Sequence, residues 1–121
     1  MNETILVVDD EPSARMAARD ALQSLGYVVL DTDDPQQALQ IVRQQPVDLL
    51  LADVVMPLMR GTELADRVQA ISASTKILLM SGYPTSDIVP SGRPFIAKPF
   101  SVDSLAEKIR DVLADRTSKR R

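Results

Sequence analysis

Five side chains carry most of the chemistry this sequence can offer: Asp9, Asp10, Asp53, Ser81 and Lys98. Each stands at the end of a short apolar run, the two acids after ILVV, Asp53 after LLLA, Ser81 after ILLM and Lys98 after FIA. Three carboxylates gathered at one place would repel one another, each close pair by about 4 kcal/mol at 4 Å with an effective dielectric near 20. Such a cluster calls for a cation. The chain has neither His nor Cys, so the ligands are oxygens, and a site with few carboxylates and room for water and phosphate oxygens suits Mg2+ better than Ca2+. A carboxylate can also act as a nucleophile and form an acyl phosphate. With the metal and Lys98 offsetting charge on the moving phosphoryl oxygens, and the Ser81 hydroxyl donating to the product, the five residues fit phosphoryl transfer to Asp53.

Taken singly, each has an ordinary structural reading. Asp10 or Glu11 ahead of Pro12 can cap a helix, an Asp after a strand can start a turn, Ser81-Gly82 is turn chemistry, and Lys98 before Pro99 can be a solvated lysine at a strand end. Independent structural roles would scatter these residues along the chain. Their coincidence at strand ends favours a shared site.

The elements that would position them follow from periodicity. Runs at Ile5 to Val8, Tyr27 to Leu30, Val47 to Ala52, Ile77 to Met80 and Phe95 to Ala97 are rich in Val, Ile and Leu without strict alternation, as strands covered on both faces should be. Helical spacing lies between them: Ala14, Ala17, Ala18, Ala21, Leu22 and Leu25 after Pro12 and before Gly26; Ala38, Leu39 and Val42 between Asp34-Pro35 and Pro46. Thr62 is expected to cap a helix carrying Leu64, Ala65 and Val68, and Ser101 one carrying Leu105, Ile109, Val112 and Leu113. Alternating βα units imply an α/β fold on a parallel sheet, whose ligands bind beyond the carboxyl ends of the strands. Residues 81–94 contain Pro84, Pro90, Pro94, Gly82 and Gly92, which predicts a shortened or irregular fourth helix near Thr85 to Val89.

At 121 residues and 45% apolar content the chain has the size of one domain, read as 1–114 with a short, flexible basic tail at 115–121. Residues 1–114 hold 10 basic and 16 acidic groups, and 115–121 four basic and one acidic. An acidic body with 3% aromatic residues argues against nucleic-acid binding. The absence of cysteine agrees with a reducing compartment; no apolar run reaches the length of a membrane span, and the start lacks a signal peptide. A cytoplasmic location is expected, and Met1 favours a stand-alone protein over a piece of a larger kinase. Composition leaves open whether the chain is a monomer or a weak dimer.

Taken together, LVVDDEP, LLLADVVMP, LLMSGY and IAKPF resemble the receiver domains of two-component response regulators, over about Thr4 to Leu113. The wording of ADVVMP, MSGY and KPF is similar to receivers attached to hybrid histidine kinases. The resemblance implies a flavodoxin-like five-stranded sheet of order 2-1-3-4-5 with helices on both faces. It implies phosphorylation by a histidine kinase or histidine phosphotransfer protein, and an output partner the sequence does not identify. It assigns Asp53 as phospho-acceptor, Asp10 as a direct ligand of Mg2+, Asp9 as a ligand through water, and the backbone carbonyl of Val55 as a further ligand. Ser81 matches the switch hydroxyl, Lys98 the phosphate-binding lysine, and Lys98-Pro99 a cis peptide.

Three departures stand out. Phe95 occupies the position of a switch aromatic that is often Tyr, so it can swing without a hydroxyl or pack in the core. Leu58 replaces a frequent Gly, which bears on the backbone of the loop after Asp53. The stretch from Ser81 to Lys98 is short by about a helical turn or more, in the part of the fold through which the family commonly signals. Two other classes compete with the switch: a docking module that keeps the fold without phosphorylation, and a hydrolase with an aspartyl-phosphate intermediate, which the short loops leave without a substrate pocket.

Overall fold

Strands form where β-branched and Leu residues can be buried on both faces, and five do so among the described residues, joined by helices whose apolar stripes cover them. The computed structural model describes residues 3–82 and 92–114. Its strands are β1 (Thr4–Val8), β2 (Val28–Thr32), β3 (Leu49–Asp53), β4 (Lys76–Ser81) and β5 (Phe95–Ala97), with helices α1 (Pro12–Ser24), α2 (Pro35–Gln44), α3 (Gly61–Ile71) and α4 (Val102–Ala114). The sheet is parallel throughout, in the order β2-β1-β3-β4-β5. The tail at 115–121 and the expected helix near Thr85 to Val89 lie outside the described residues. No helix among the described residues is long and apolar enough to cross a membrane.

Side chains alternate across the sheet and build two cores. Ile5, Val7, Leu49, Leu51, Leu78 and Met80 face Ala18 and Leu22 of α1 and Leu105, Ile109 and Val112 of α4. On the other face, Leu6, Val8, Leu50, Ala52, Ile77 and Leu79 face Ala38, Leu39 and Val42 of α2 and Leu64, Ala65 and Val68 of α3. Full burial of one such side chain is worth about 1.5–3 kcal/mol, so the apolar strand ends at Val8, Ala52 and Met80 fix where the chemistry begins.

Several element ends follow the sequence. Asp34 caps α2 by accepting from the Gln36 N–H at 2.9 Å, the Ser101 hydroxyl accepts from the Ser104 N–H at 3.0 Å, and Gly26 follows α1 with φ 98°, a helix-ending conformation in which only glycine is unstrained. Others differ. Strand β2 runs past the apolar residues to Asp31 and Thr32 because both pair with β1, opposite Val7 and Val8. Strand β3 starts at Leu49 rather than Val47, since the Val47 carbonyl accepts from the Thr75 hydroxyl at 2.7 Å. Thr62 does not cap α3. That helix begins at Gly61 after Arg60, with no side-chain cap.

Candidate functional site

The close start of α3 follows from Gly61. Its N–H donates to the Val54 carbonyl at 2.9 Å, and a Cβ added there would lie 2.9 Å from the Asp53 carbonyl carbon and nearer still to the oxygen. Only a residue without a side chain lets the helix abut the end of β3. The loop between needs no left-handed residue, for among the described residues no non-glycine has a positive φ. Leu58 is therefore accommodated in ordinary backbone, and its side chain is exposed.

Asp9 directly follows β1, fully buried, and each of its polar atoms is engaged. Its N–H donates to the Thr32 carbonyl at 3.3 Å and its carbonyl accepts from Arg15 Nη1 at 3.0 Å. Its Oδ1 accepts from the Glu11 N–H at 3.0 Å, and its Oδ2 from Lys98 Nζ at 2.9 Å. Lys98 Nζ also donates to Asp53 Oδ2 at 3.2 Å, so one ammonium bridges the ends of β1 and β3. Asp53 Oδ1 accepts from the Val55 N–H at 3.3 Å, which gives the turn-starting reading of Asp53 real content alongside its place in the cluster. One carboxylate oxygen from each of Asp9, Asp10 and Asp53 comes within 4.8 Å of the others. Asp10 is exposed, and no described residue makes a hydrogen bond or ion pair to its carboxylate. Neither acid caps α1: Glu11, at the cap position, makes no such bond and instead accepts from the Ser13 hydroxyl at 2.6 Å.

The electrostatics are those of a site short of positive charge. Burial raises the pKa of Asp53 above its ordinary value and the Asp9 carboxylate adds to the rise, outweighing Lys98, which opposes it. Burial is also the largest single influence on Lys98 and disfavours its ammonium, yet hydrogen bonds and charge from Asp9 and Asp53 together raise its pKa. Three carboxylates facing one ammonium remain underneutralised. A hard cation with oxygen ligands fits that deficit; Asp10 offers it an exposed carboxylate with no described hydrogen-bond partner, and Asp53, though both its oxygens accept hydrogen bonds, is less deeply buried than Asp9.

Ser81 is buried at the end of β4, and its carbonyl accepts from the Lys98 N–H at 2.8 Å, so the hydroxyl-bearing residue and the lysine share a backbone link. The Lys98-Pro99 peptide is cis. Phe95 departs from its core reading. It is 38% exposed, because β5 sends Ile96 to the α1/α4 core and turns Phe95 to the opposite face, beside Leu79. Two residues of the site were not legible as such in the sequence, Gly61 and Arg15. A Gly one residue before an expected helix cap was the available signal for the first, and nothing local marks the second.

The response regulator receiver domain model matches residues 5–110. Sporulation initiation phosphotransferase F of Bacillus subtilis is 30% identical over 118 residues, which are 93% of this chain and 95% of that protein. Sensor kinase CckA of Brucella abortus is 35% identical over 118 residues, 91% of this chain but 12% of the kinase. Among solved structures, response regulator TrrA of Thermotoga maritima, in complex with Mg2+-BeF, is 31% identical with a TM-score of 0.82, and the match covers 91% of this chain and 98% of TrrA.

Proposed function

The chain belongs to the response regulator receiver domain family, and from that premise we propose that it is a phospho-accepting switch of a His-Asp phosphorelay, with Asp53 as acceptor. The observation that carries the reading is the Lys98 bridge between Asp9 and Asp53 beside the accessible carboxylate of Asp10. Asp10, Asp53 and the Val55 carbonyl would hold Mg2+ directly, with Asp9 behind a water. When bound, Mg2+ neutralises charge on the phosphoryl oxygens and orients them for in-line transfer.

An oxygen of Asp53 forms a bond to phosphorus while the bond from phosphorus to the donor's imidazole nitrogen breaks, and that nitrogen keeps the electron pair and takes up a proton. The donor is a histidine kinase or histidine phosphotransfer protein, and a groove lined by Glu11, Ala14, Ala17, Lys98, Pro99 and Phe100, which reaches the site at Lys98, is where it would dock. The product adds about −1.5 to −2 charges at Asp53. Lys98 Nζ follows the new oxygens and the Ser81 hydroxyl donates to one of them. Their shared backbone link makes the ends of β4 and β5 move together, and a partner reads the changed surface near residues 81–100.

The protein is incubated with a small-molecule acyl phosphate, with and without Mg2+, and the intact mass is measured. One phosphoryl group is expected in the presence of Mg2+ and none in Asp53→Asn. Equal phosphorylation of that variant rules the acceptor out, and loss of donor dependence on Mg2+ rules out the metal.

A further inference from the structure

We propose that Arg15 is a positioning residue for the acidic site, holding the Asp9-Asp10 peptide in place by bracing it against Asp31 of β2. The inference rests on the reading of Asp10 as a metal ligand, and its geometry stands independently of that reading. Arg15 lies in the first turn of α1, and its guanidinium is shared between two partners. Nε donates to Asp31 Oδ2 at 3.1 Å, and Nη1 donates to the Asp9 carbonyl at 3.0 Å. That carbonyl belongs to the peptide bond joining Asp9 to Asp10, so the contact fixes the plane from which Asp10 departs.

Asp10 needs such a hold. The carboxylate of Asp9 is pinned on both oxygens, by the Glu11 N–H and by Lys98, whereas no described residue makes a hydrogen bond or ion pair to the Asp10 carboxylate. The direction of Asp10 is set by its backbone alone. Asp31, paired opposite Val7 two residues before Asp9, gives the arginine a strand-mounted anchor, and the planar guanidinium can serve the carboxylate and the carbonyl at once where a lysine serves one. Arg19 supplies an internal contrast. It also approaches Asp31, with Nη1 3.7 Å from Oδ1, and sends nothing to the acidic loop.

The experiment compares wild type, Arg15→Ala, Arg15→Lys and Arg19→Ala in two measurements. In the metal-free protein, hydrogen exchange at the Glu11 amide, which donates to Asp9 Oδ1, should speed up in both Arg15 variants and stay unchanged in Arg19→Ala. In a Mg2+ titration followed by calorimetry, both Arg15 variants should bind about tenfold more weakly, the usual scale for losing an outer partner of a metal ligand, while Arg19→Ala keeps the wild-type Kd. If Arg15 only ties α1 to β2, both arginines lower thermal stability and neither changes exchange at Glu11 or the Kd, and the inference is overturned. If Arg15→Ala does not fold, Arg15→Lys decides on the same two readouts. Wild type that exchanges as expected but binds no Mg2+ sinks the metal reading and confines Arg15 to holding the loop, whereas wild type that binds normally alongside unaffected Arg15 variants sinks the inference alone.

Discussion

The two ends of the same sheet solve opposite problems. At the amino end the polar groups close on one another: the Thr4 N–H donates to Asp48 Oδ2 at 2.8 Å, the Asp48 N–H to the Thr4 carbonyl at 2.9 Å, and the Lys76 N–H to the Asp48 carbonyl at 2.9 Å. The buried Thr75 hydroxyl donates to the Val47 carbonyl, and the Thr75 carbonyl accepts from Gln69. At the carboxyl end Asp9 and Asp53 share one lysine, and Asp10 stands beside them with no described ion-pair partner. A closed hydrogen-bond set rigidifies and has nothing left to bind; an underneutralised one is stable enough to fold and still gains by taking a cation. The proposed function sits where the pairing is incomplete.

The contrast is broken most directly by magnesium. A hundredfold excess over Kd should stabilise wild type by about 2.7 kcal/mol through mass action, read as a rise in melting temperature that shrinks in Asp10→Asn; an equal rise in that variant would show the ion binding elsewhere. Next in size, Gly61→Ala forces a methyl group against the Asp53 carbonyl and should cost about 1–3 kcal/mol by overpacking. It should also slow phosphorylation by displacing Asp53, the proposed acceptor, which separates it from a change at the closed end. Thr75→Val leaves the Val47 carbonyl without its hydroxyl partner and should lower stability by about 1–2 kcal/mol, with the magnesium response and phosphorylation unchanged. Any loss of either in Thr75→Val would show the two ends to be coupled.

The smallest effect is one of pH. Because burial holds the Asp53 pKa above its ordinary value, the metal-free folded state binds this proton more tightly than the unfolded chain. Its contribution to stability is present at low pH and declines as pH rises from the ordinary carboxylate range through the raised pKa. Denaturant unfolding without magnesium should find Asp53→Asn more stable than wild type at neutral pH, with the advantage vanishing in acid. A constant difference across that range would show that ionisation of Asp53 costs the fold nothing.

Much of the closed architecture was legible. Each strand appeared as a run of apolar residues, and Asp34, Ser101 and Gly26 marked helix ends by local chemistry, because a cap depends on residues two or three positions away. The end of β2 was not legible, since Asp31 and Thr32 join the sheet through pairing with β1 and carry no apolar signal. Thr62 misled for a related reason: α3 starts where Gly61 can approach β3, a distance no local pattern records. Of the two readings of Phe95 the core one failed through its face, which the register against Leu79 decides.

By itself, the sequence determined that Asp9, Asp10, Asp53, Ser81 and Lys98 end their strands, and a parallel sheet necessarily gathers such ends at one edge. Only the tertiary structure decided what each then does. It buried Asp9 and left Asp10 open, set Lys98 between carboxylates 89 and 45 residues away, and gave Arg15 its two partners. Those outcomes depend on strand register and on distances between elements remote in the chain, whereas periodicity records only which residues are neighbours along it.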